Sequence, residues 1–415
     1  KELWGIDFFW IAAIGLVVLT ALYTIFGGMK SVLYTSVLQT PILLLGSLII
    51  LVLGFKELGG WDEMMRVCGA VTVNDYGDTM TNLIRSNDDA NFPWLGALIG
   101  SAIIGFWYWC TDQFIVQRVL SGKNEMEARR GTIFGAYLKL LPVFLFLIPG
   151  MIAFALHQKY IGAGGEGFLP MLANGTANAD AAFPTLVAKL LPAGVKGLVV
   201  CGILAALMSS LASLFNSSAM LFTIDFYKRF KPETPEKKLV GIGQIATIVI
   251  VVLGILWIPI MRSVGDVLYT YLQDVQSVLA PGIAAAFLLG ICWKRTSAQG
   301  GMWGLISGMV IGLTRLGAKV YYSNAGEVAD STFKYLFYDM NWLFFCGWMF
   351  LFCIIVVIVV SLATEAPTAE KIQGLVFGTA TKEQKAATRA SWNHWDIIHT
   401  VIILAITAAF YWYFW

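Results

Sequence analysis

Charged residues are scarce in this chain, and their scarcity argues against a soluble protein. There are 26 acidic and 28 basic residues among 415, which is 13% charged residues against 58% hydrophobic ones. A soluble domain of this length needs more polar surface to stay in solution. The formal net charge of +2 shows no basic bias of the kind that nucleic acid attracts, so we expect no nucleic-acid partner.

Histidine and cysteine are also sparse, which argues against an enzyme and against an organic or transition-metal cofactor. The three histidines do not cluster, and the six cysteines lack the spacing of metal ligands; we interpret the cysteines as small buried hydrophobic residues. The segment GGMKS at 27–31 pairs a lysine with a serine but lacks the glycine spacing of a phosphate-binding loop. A membrane-bound glycosyl- or acyltransferase is therefore a disfavoured alternative.

Long apolar runs are what the chain has in quantity, in blocks of about 20 residues, the length that spans the bilayer core. They predict about ten spanning helices, at residues 8–26, 33–54, 93–119, 133–156, 195–224, 239–260, 267–292, 300–321, 340–363 and 395–415. Lysine and arginine are concentrated in alternate connections, which places those connections in the cytoplasm. The pattern predicts an all-α polytopic protein of the cell membrane, in contact with membrane lipid.

One apolar run, GILAALMSSLASLFNSSAMLF at 202–222, carries several serines. On a helix, the polar and small residues of this run share one face: Ala206, Ser209, Ser210, Ser213 and Ser217. Two interpretations remain open from the spacing alone. Small residues permit close helix packing, with the hydroxyls bonded back to their own helix. Alternatively, hydroxyl and carbonyl oxygens form a site for a hard cation such as sodium.

Other polar residues also interrupt apolar runs. Asp112 follows an aromatic cluster, Lys139 lies well inside a predicted span, and Gln273 precedes Asp274. Amides and carboxylates at this depth usually face a cavity or pair with each other, although Lys139 could instead extend its ammonium group to the cytoplasmic face. Aromatic rings beside amides suit a sugar, because rings pack on C–H groups while amides bind hydroxyls.

Several long segments resemble a known family. WYWCTDQFIVQRVLSGKN, GAYLKLLPVF, the serine-rich run and APGIAAAFLLGICWKR are similar to the sodium–glucose cotransporter branch of the sodium/solute symporter family. The resemblance implies a LeuT-type fold of two inverted five-helix repeats, each opening with a broken helix. It makes residues 1–54 the last two helices of repeat one and 55–92 an extracellular loop. Residues 93–292 become repeat two, and 293–415 three peripheral helices with a cytoplasmic loop.

The resemblance also implies roles for single residues. The Ala206 carbonyl and the hydroxyls of Ser209 and Ser210 would bind sodium, which is the coupling ion. The sugar residues would comprise an aromatic gate, its neighbour, two hydrogen-bonding side chains and an aromatic wall: Tyr108, Trp109, Lys139, Gln273 and Tyr269. The implied function is symport of sodium with a hexose of the glucose or galactose type, by alternating access.

The chain departs from the family pattern at positions that bear on stoichiometry and selectivity. Ser36, in YTSVLQT, stands where an acid is frequent, and Ala212 stands where members proposed to hold a second sodium carry threonine. Losing a carboxylate and a hydroxyl removes strong ligands for a second ion, so we expect one sodium per sugar. Gly105 and Thr270 stand where sugar-transporting relatives can carry polar and acidic side chains, which makes hexose selectivity less secure.

Three further expectations concern the solute and the chain itself. Another solute, such as myo-inositol, and a sugar sensor built on the same fold remain alternatives. The chain begins at Lys1 rather than methionine, so we expect a piece of a longer protein whose missing helices supply part of both sites. The triplet NGT beginning at Asn174 fits a glycosylation acceptor in an outer loop.

Overall fold

The computed structural model describes residues 2–3, 6–172, 175–262, 268–325 and 329–414. Most of these residues are helical, as the composition predicts, and the all-α prediction is confirmed. The two strands in the described part of the chain are two residues each, β1 (Glu2–Leu3) and β2 (Ile6–Asp7), paired antiparallel. The predicted glycosylation residue Asn174 lies outside the described residues.

The helices of the described ranges follow the predicted spans in order. They are α1 (Phe8–Leu58), α2 (Trp61–Gly69), α3 (Trp94–Cys110), α4 (Gln113–Leu120), α5 (Glu125–Pro142), α6 (Ile148–Gly162), α7 (Ala182–Leu190), α8 (Ala193–Met220), α9 (Lys228–Phe230), α10 (Glu236–Arg262), α11 (Leu268–Cys292), α12 (Ala298–Asn324), α13 (Thr332–Lys334), α14 (Trp342–Ala363), α15 (Ala369–Ile372), α16 (Lys382–Ala390) and α17 (His394–Tyr413). Short π-helical segments, Val143–Leu147, Leu221–Tyr227 and Tyr335–Asp339, continue α5, α8 and α13, and a 3₁₀ turn, Ala179–Ala181, precedes α7.

Several helices begin at polar capping residues. Ser297 accepts a hydrogen bond from Gly300 N at the start of α12, and Asn341 accepts one from Leu343 N at the start of α14. Thr381 and Asn393 form capping boxes at α16 and α17. These side chains satisfy amide groups that have no partner within the helix.

The chain divides into two compact units, Lys1–Ala70 with Leu138–Asp266, and Val71–Tyr137 with Val267–Trp415. In the first unit α1 packs against α8, α6 and α10, and α8 also packs against α10. Glycine permits the close approach of α1 and α8, because a Cβ on Gly46 would lie 2.5 Å from Val199 Cγ2. Ala21, Phe215 and Val251 form the buried apolar cluster between α1, α8 and α10.

The two predicted spans at 8–26 and 33–54 form one helix in the structure. Helix α1 is 51 residues long, which is about 77 Å at 1.5 Å per residue and far exceeds a bilayer core of about 30 Å. The residues between the two predicted spans include Gly27 and Gly28, but glycine only weakens a helix and does not end one. The proline in this helix, Pro41, comes after the predicted turn.

In the second unit α3, α11, α12 and α14 pack around a common apolar core. Buried residues of α3, α11 and α14 meet there: Ile103, Ile104, Ala280, Ala284, Trp342, Leu343 and Cys346. Helices α11 and α12 approach closely at Gly282 and Gly308, where a Cβ added to Gly308 would lie 3.0 Å from Gly282 Cα. This close approach requires small residues on both helices.

Seven described helical segments are long and apolar enough to cross a membrane, and the pair α3–α4 adds an eighth. That pair is bent by 47° at Thr111–Asp112, within the predicted span at 93–119. Two predicted spans fall short of this measure. In the first, the residues with described side chains form a shorter apolar stretch, Trp10–Ile25, and α12, which carries Arg315 and Lys319, is not among the seven.

A polar loop precedes α3 and is organised by two aspartates. Asp78 Oδ2 accepts hydrogen bonds from Asn74 Nδ2 and Ser86 N, each at 2.7 Å. Asp89 Oδ1 accepts from Asn91 N at 2.9 Å and from Phe92 N at 2.7 Å. The bond from Asn74 and the backbone bond from Ser86 lower the pKa of Asp78. Burial opposes the lowering of the Asp89 pKa, but the hydrogen bonds and Arg85 outweigh it.

Candidate ion and solute sites

The predicted sodium residues lie on α8 in the first unit. The serines of this helix differ in exposure. Ser209, Ser213 and Ser217 are 6%, 0% and 3% exposed, whereas Ser210 is exposed. The helix turns about 100° per residue, so Ser209, Ser213 and Ser217 share the face packed within the unit. Ser217 Oγ donates to Leu214 O at 3.0 Å. This bond to its own helix agrees with the first interpretation, in which the serines serve helix packing.

Ser209 differs from Ser217 because its hydroxyl contacts another helix. Its Oγ lies 2.5 Å from Ser36 Oγ of α1. The carbonyl of Met208, the residue before Ser209, accepts a hydrogen bond from the hydroxyl of Tyr23 of α1 at 2.8 Å. Ser36 is the position where the family pattern frequently has an acid, and the structure places it beside the predicted ion-binding hydroxyl. Ala206, whose carbonyl is the predicted third ligand, lies one turn before Ser209 and Ser210 on the same helix.

The structure brings together two of the predicted solute residues on α11. Gln273 Nε2 donates to Tyr269 Oη at 2.8 Å, an i, i+4 contact that places both side chains on one helix face. Tyr269 is more than half exposed, and Gln273 is partly buried. Gln273 Oε1 is buried and accepts no hydrogen bond from any described group. A buried amide oxygen without a donor is costly, so this atom is available to a ligand hydroxyl.

Tyr108 and Trp109 form the second predicted pair, at the end of α3. Their rings meet edge to face, with centroids 5.3 Å apart and planes at 86°. Tyr108 is half-buried and Trp109 is 49% exposed. They lie immediately before the bend between α3 and α4, where Asp112 caps α4 by accepting from Phe114 N at 3.1 Å. The carboxylate in this span is therefore used as a helix cap.

Three further positions were singled out in the sequence: Lys139, Thr270 and Gly105. Lys139 is exposed on α5 and belongs to the first unit. Thr270 is on α11, but its side chain lies outside the described part of the chain. Gly105 lies on α3 one turn before Tyr108 and Trp109, and a Cβ at Gly105 would meet nothing within 4 Å.

A charged cluster between α11 and α12 was not predicted as a site. Asp274 pairs with Lys319 by a short hydrogen bond to Oδ2, and its Oδ1 lies 3.5 Å from Arg315 Nη2. Arg315 is fully buried, with its guanidinium 4.1 Å from the centre of the Phe345 ring. Sequence reasoning noted Asp274 but not its partners. The sequence did contain a signal for this cluster: Arg315 and Lys319 are spaced i, i+4 in one apolar run, and Asp274 lies in the preceding run.

Comparison with known proteins shows which family this chain resembles in sequence. The family model of the Sodium:solute symporter family matches residues 1–308. The sodium/mannose cotransporter of Bos taurus is 34% identical over 98% of this chain and 72% of its own length. The sodium/myo-inositol cotransporter 2 of Homo sapiens is 35% identical over 89% of this chain and 56% of its own length. Sodium/glucose cotransporter 1 of Ovis aries is 37% identical over 87% of this chain and 57% of its own length.

The fold has a counterpart among solved structures. A Na⁺-coupled sialic acid symporter, in a substrate-bound outward-open state, superposes with a TM-score of 0.62 at 20% identity. The match covers 85% of this chain and 66% of that chain. The chain thus spans a little over half of two of the relatives above and about two thirds of this symporter. It is a multi-pass integral membrane protein with the LeuT-type fold, and it belongs to the sodium:solute symporter family.

Proposed function

We propose that the full-length protein is a sodium-coupled symporter of the plasma membrane that takes up a neutral hexose or a related polyol. The observation that carries this proposal is the buried Gln273 Oε1, which has no donor among the described groups, on a side chain whose Nε2 donates a hydrogen bond to the Tyr269 hydroxyl. An acceptor and a phenol on one helix face match the hydroxyl groups of a sugar. Tyr108 and Trp109 supply aromatic surface for its C–H groups, and Lys139 would add a further donor.

Sodium is the coupling ion in this proposal, and it is transported together with the solute. The Ala206 carbonyl and the Ser209 and Ser210 hydroxyls would supply neutral oxygen ligands, which suit a monovalent cation that must also be released. The short contact between Ser36 and Ser209 supports a single-ion site, because a hydroxyl occupies the place where a carboxylate would add charge. We propose one sodium per solute molecule.

The transport cycle follows from linkage between the two ligands. Sodium that binds better to the outward-open state raises the population of that state and thereby the apparent affinity for the solute. The solute then raises sodium affinity by the same factor. One elementary charge crosses the membrane in each cycle, so a membrane potential of 100 mV contributes about 2.3 kcal/mol to accumulation.

The identity of the solute is the less constrained part of the proposal. The relatives above are named for mannose, myo-inositol and glucose, and all three solutes present rings of hydroxyl groups. A myo-inositol transporter is therefore the second candidate, favoured by the open space at Gly105, which leaves room beside the aromatic pair. A sugar sensor would use the same residues but would bind without net uptake.

Uptake by the full-length protein in proteoliposomes tests the proposal. Labelled glucose, galactose, mannose and myo-inositol are offered across a sodium titration, with potassium replacing sodium as the control. Saturable sodium-driven uptake of one or more of them, with a Hill coefficient near one, is the expected result. A coefficient clearly above one contradicts the single ion. Binding without uptake indicates a sensor, and neither binding nor uptake of any of the four solutes contradicts the proposed solute class.

A further inference from the structure

The charged cluster of Asp274, Arg315 and Lys319 lies next in sequence to Gln273. Gln273 and Tyr269 occupy one face of α11, and Asp274 is displaced from Gln273 by about 100° around the helix, toward α12. Its carboxylate is shared by two cations one turn apart on α12, Arg315 and Lys319. The orientation of Gln273 is therefore coupled to the contact between α11 and α12.

The cluster is anchored beyond α12. Arg315 Nη2 also donates to Met340 O at 2.8 Å, just before α14 begins, and its guanidinium packs on Phe345 of α14. Arg315 is 0% exposed, while the Asp274 and Lys319 side chains are 14% and 31% exposed. Removing one member of a buried charge pair leaves the other charge uncompensated, which is costly. The cluster thus ties α11 to both α12 and α14.

A proline separates the charged cluster from the rest of α11. Pro281 cannot donate to the carbonyl of residue 277, so the helix is less rigid there. Immediately beside it, Gly282 meets Gly308 of α12. The part of α11 that carries Tyr269 and Gln273 lies before this proline. Its direction is therefore set by contacts before Pro281, and these include the charged contact of Asp274 with Lys319 and Arg315.

We infer that Asp274, Arg315 and Lys319 are positioning residues for Gln273 and Tyr269, and that α12 belongs functionally to the solute site. This inference rests on the proposed function, since it assigns a task to the solute-binding face. It differs from the prediction that α12 is only a peripheral helix. The charge of Lys319, rather than its bulk, orients the binding face.

Lys319 offers the test, because Arg315 is fully buried and its variants could fail to fold. The full-length protein carries Lys319→Met, which keeps the apolar stem and removes the charge, or Lys319→Arg, which keeps the charge. Lys334→Met is the matched control, because Lys334 pairs with Asp330 at 2.9 Å at the protein surface in the same unit. KM and maximal rate are measured for sodium-driven uptake of the preferred solute, together with half-saturation by sodium.

We expect Lys319→Met to raise KM about tenfold, which corresponds to about 1.4 kcal/mol, with little change in maximal rate or sodium half-saturation. Lys319→Arg and Lys334→Met should resemble the unmodified protein. An unchanged KM in Lys319→Met overturns the inference. So does a loss of maximal rate at constant KM, or a failure of Lys319→Arg to restore KM, since either result indicates general packing rather than positioning.

A second measurement separates this inference from the proposed function. Backbone hydrogen exchange of residues 268–277 is followed in nanodiscs without solute. Faster exchange in Lys319→Met than in Lys319→Arg or the unmodified protein supports the inference that the charged cluster holds α11 in place. Equal exchange in all three proteins overturns it. If the unmodified protein neither binds nor transports any of the four solutes, the proposed function fails, and the exchange result still decides whether the cluster holds α11.

Discussion

Ser36 of α1 and Ser209 of α8 place their hydroxyl oxygens 2.5 Å apart, which links the two longest helices of the first unit at the predicted ion site. The contact joins a residue assigned to ion binding with one that departs from the family pattern. A change on α1 should therefore alter the sodium dependence of transport, and the two residues can be tested separately.

Substitution Ser209→Ala should weaken sodium dependence. The hydroxyl is a proposed ligand, and contacts to a charged group are worth about 1.5–3 kcal/mol, so half-saturation by sodium should rise by at least about tenfold. The matched control is Ser217→Ala, on the same buried face, whose hydroxyl bonds to Leu214 O of its own helix. Sodium titration of solute uptake measures both. An equal effect of the two substitutions would show that the serine face serves packing alone.

Substitution Ser36→Asp should strengthen sodium binding. A carboxylate beside Ser209 adds a full negative charge near the cation, and such an attraction is large at low effective dielectric. We expect half-saturation by sodium to fall by about fivefold or more. Ser36→Asn adds similar bulk without charge and should not produce this fall. Sodium-dependent uptake compares them, and a fall of the same size in Ser36→Asn would mean that charge is not the cause.

Removal of the Gln273 acceptor should reduce solute affinity selectively. Gln273→Leu keeps the size of the side chain but deletes Oε1 and the bond to Tyr269, and KM for the solute should rise by about tenfold or more. Tyr269→Phe removes only the hydroxyl that orients the amide, so its effect should be smaller. Sodium half-saturation measured in the absence of solute should stay constant in both. A larger effect of Tyr269→Phe than of Gln273→Leu would contradict the assignment of Gln273.

Gly105→Ser should change which solute is preferred without harming the fold. A Cβ at Gly105 meets nothing within 4 Å, whereas a Cβ at Gly100, on the same helix, would lie 2.9 Å from Leu343 O. Gly100→Ser is therefore the contrasting variant and should lower the yield of folded protein. Competition between glucose and myo-inositol in uptake assays, together with size-exclusion profiles, measures both effects. Unaltered solute preference in Gly105→Ser would place this open space outside the solute site.

The loop before α3 should lose order at acidic pH. The pKa values of Asp78 and Asp89 are lowered in the folded protein. Their stabilising contribution is therefore complete above the ordinary aspartate pKa of about 3.9 and is lost as pH falls through the lower folded values. Hydrogen exchange of residues 74–92 between pH 3 and pH 7 follows this loss. Asp78→Asn should remove part of the pH dependence, and an unchanged profile in that variant would assign the transition to other groups.

Much of the fold could be predicted because the length and the low polarity of a segment identify a helix that spans the bilayer. The break after Cys110 also follows from Asp112, since a carboxylate in an apolar span begins a new helix by capping it. The continuity of α1 could not be predicted in this way, because glycine pairs lower helix propensity and the structure nevertheless continues one helix through them.

The sites were less predictable than the helices. Helical spacing brings Tyr269 and Gln273 to one face, so their hydrogen bond is a local consequence of the sequence. The contact between Ser36 and Ser209 joins residues 173 positions apart, and the cluster of Asp274 with Lys319 joins residues 45 apart. Such pairs depend on the packing of one helix on another, which spacing along a single helix does not reveal.

The close approach of α11 and α12 sets an uneven mutational tolerance along these helices. At Gly308 an added methyl group would meet both Gly282 Cα and Cys353 Sγ, at 3.0 and 3.1 Å, and at Gly312 it would meet Val278 O at 2.6 Å. By contrast, Gly290 and Gly317 on the same two helices have open space around them. Alanine at the first two positions would separate the helices, while at the other two it would be accepted, so a variant library should exclude alanine at Gly308 and Gly312 and retain it at Gly290 and Gly317.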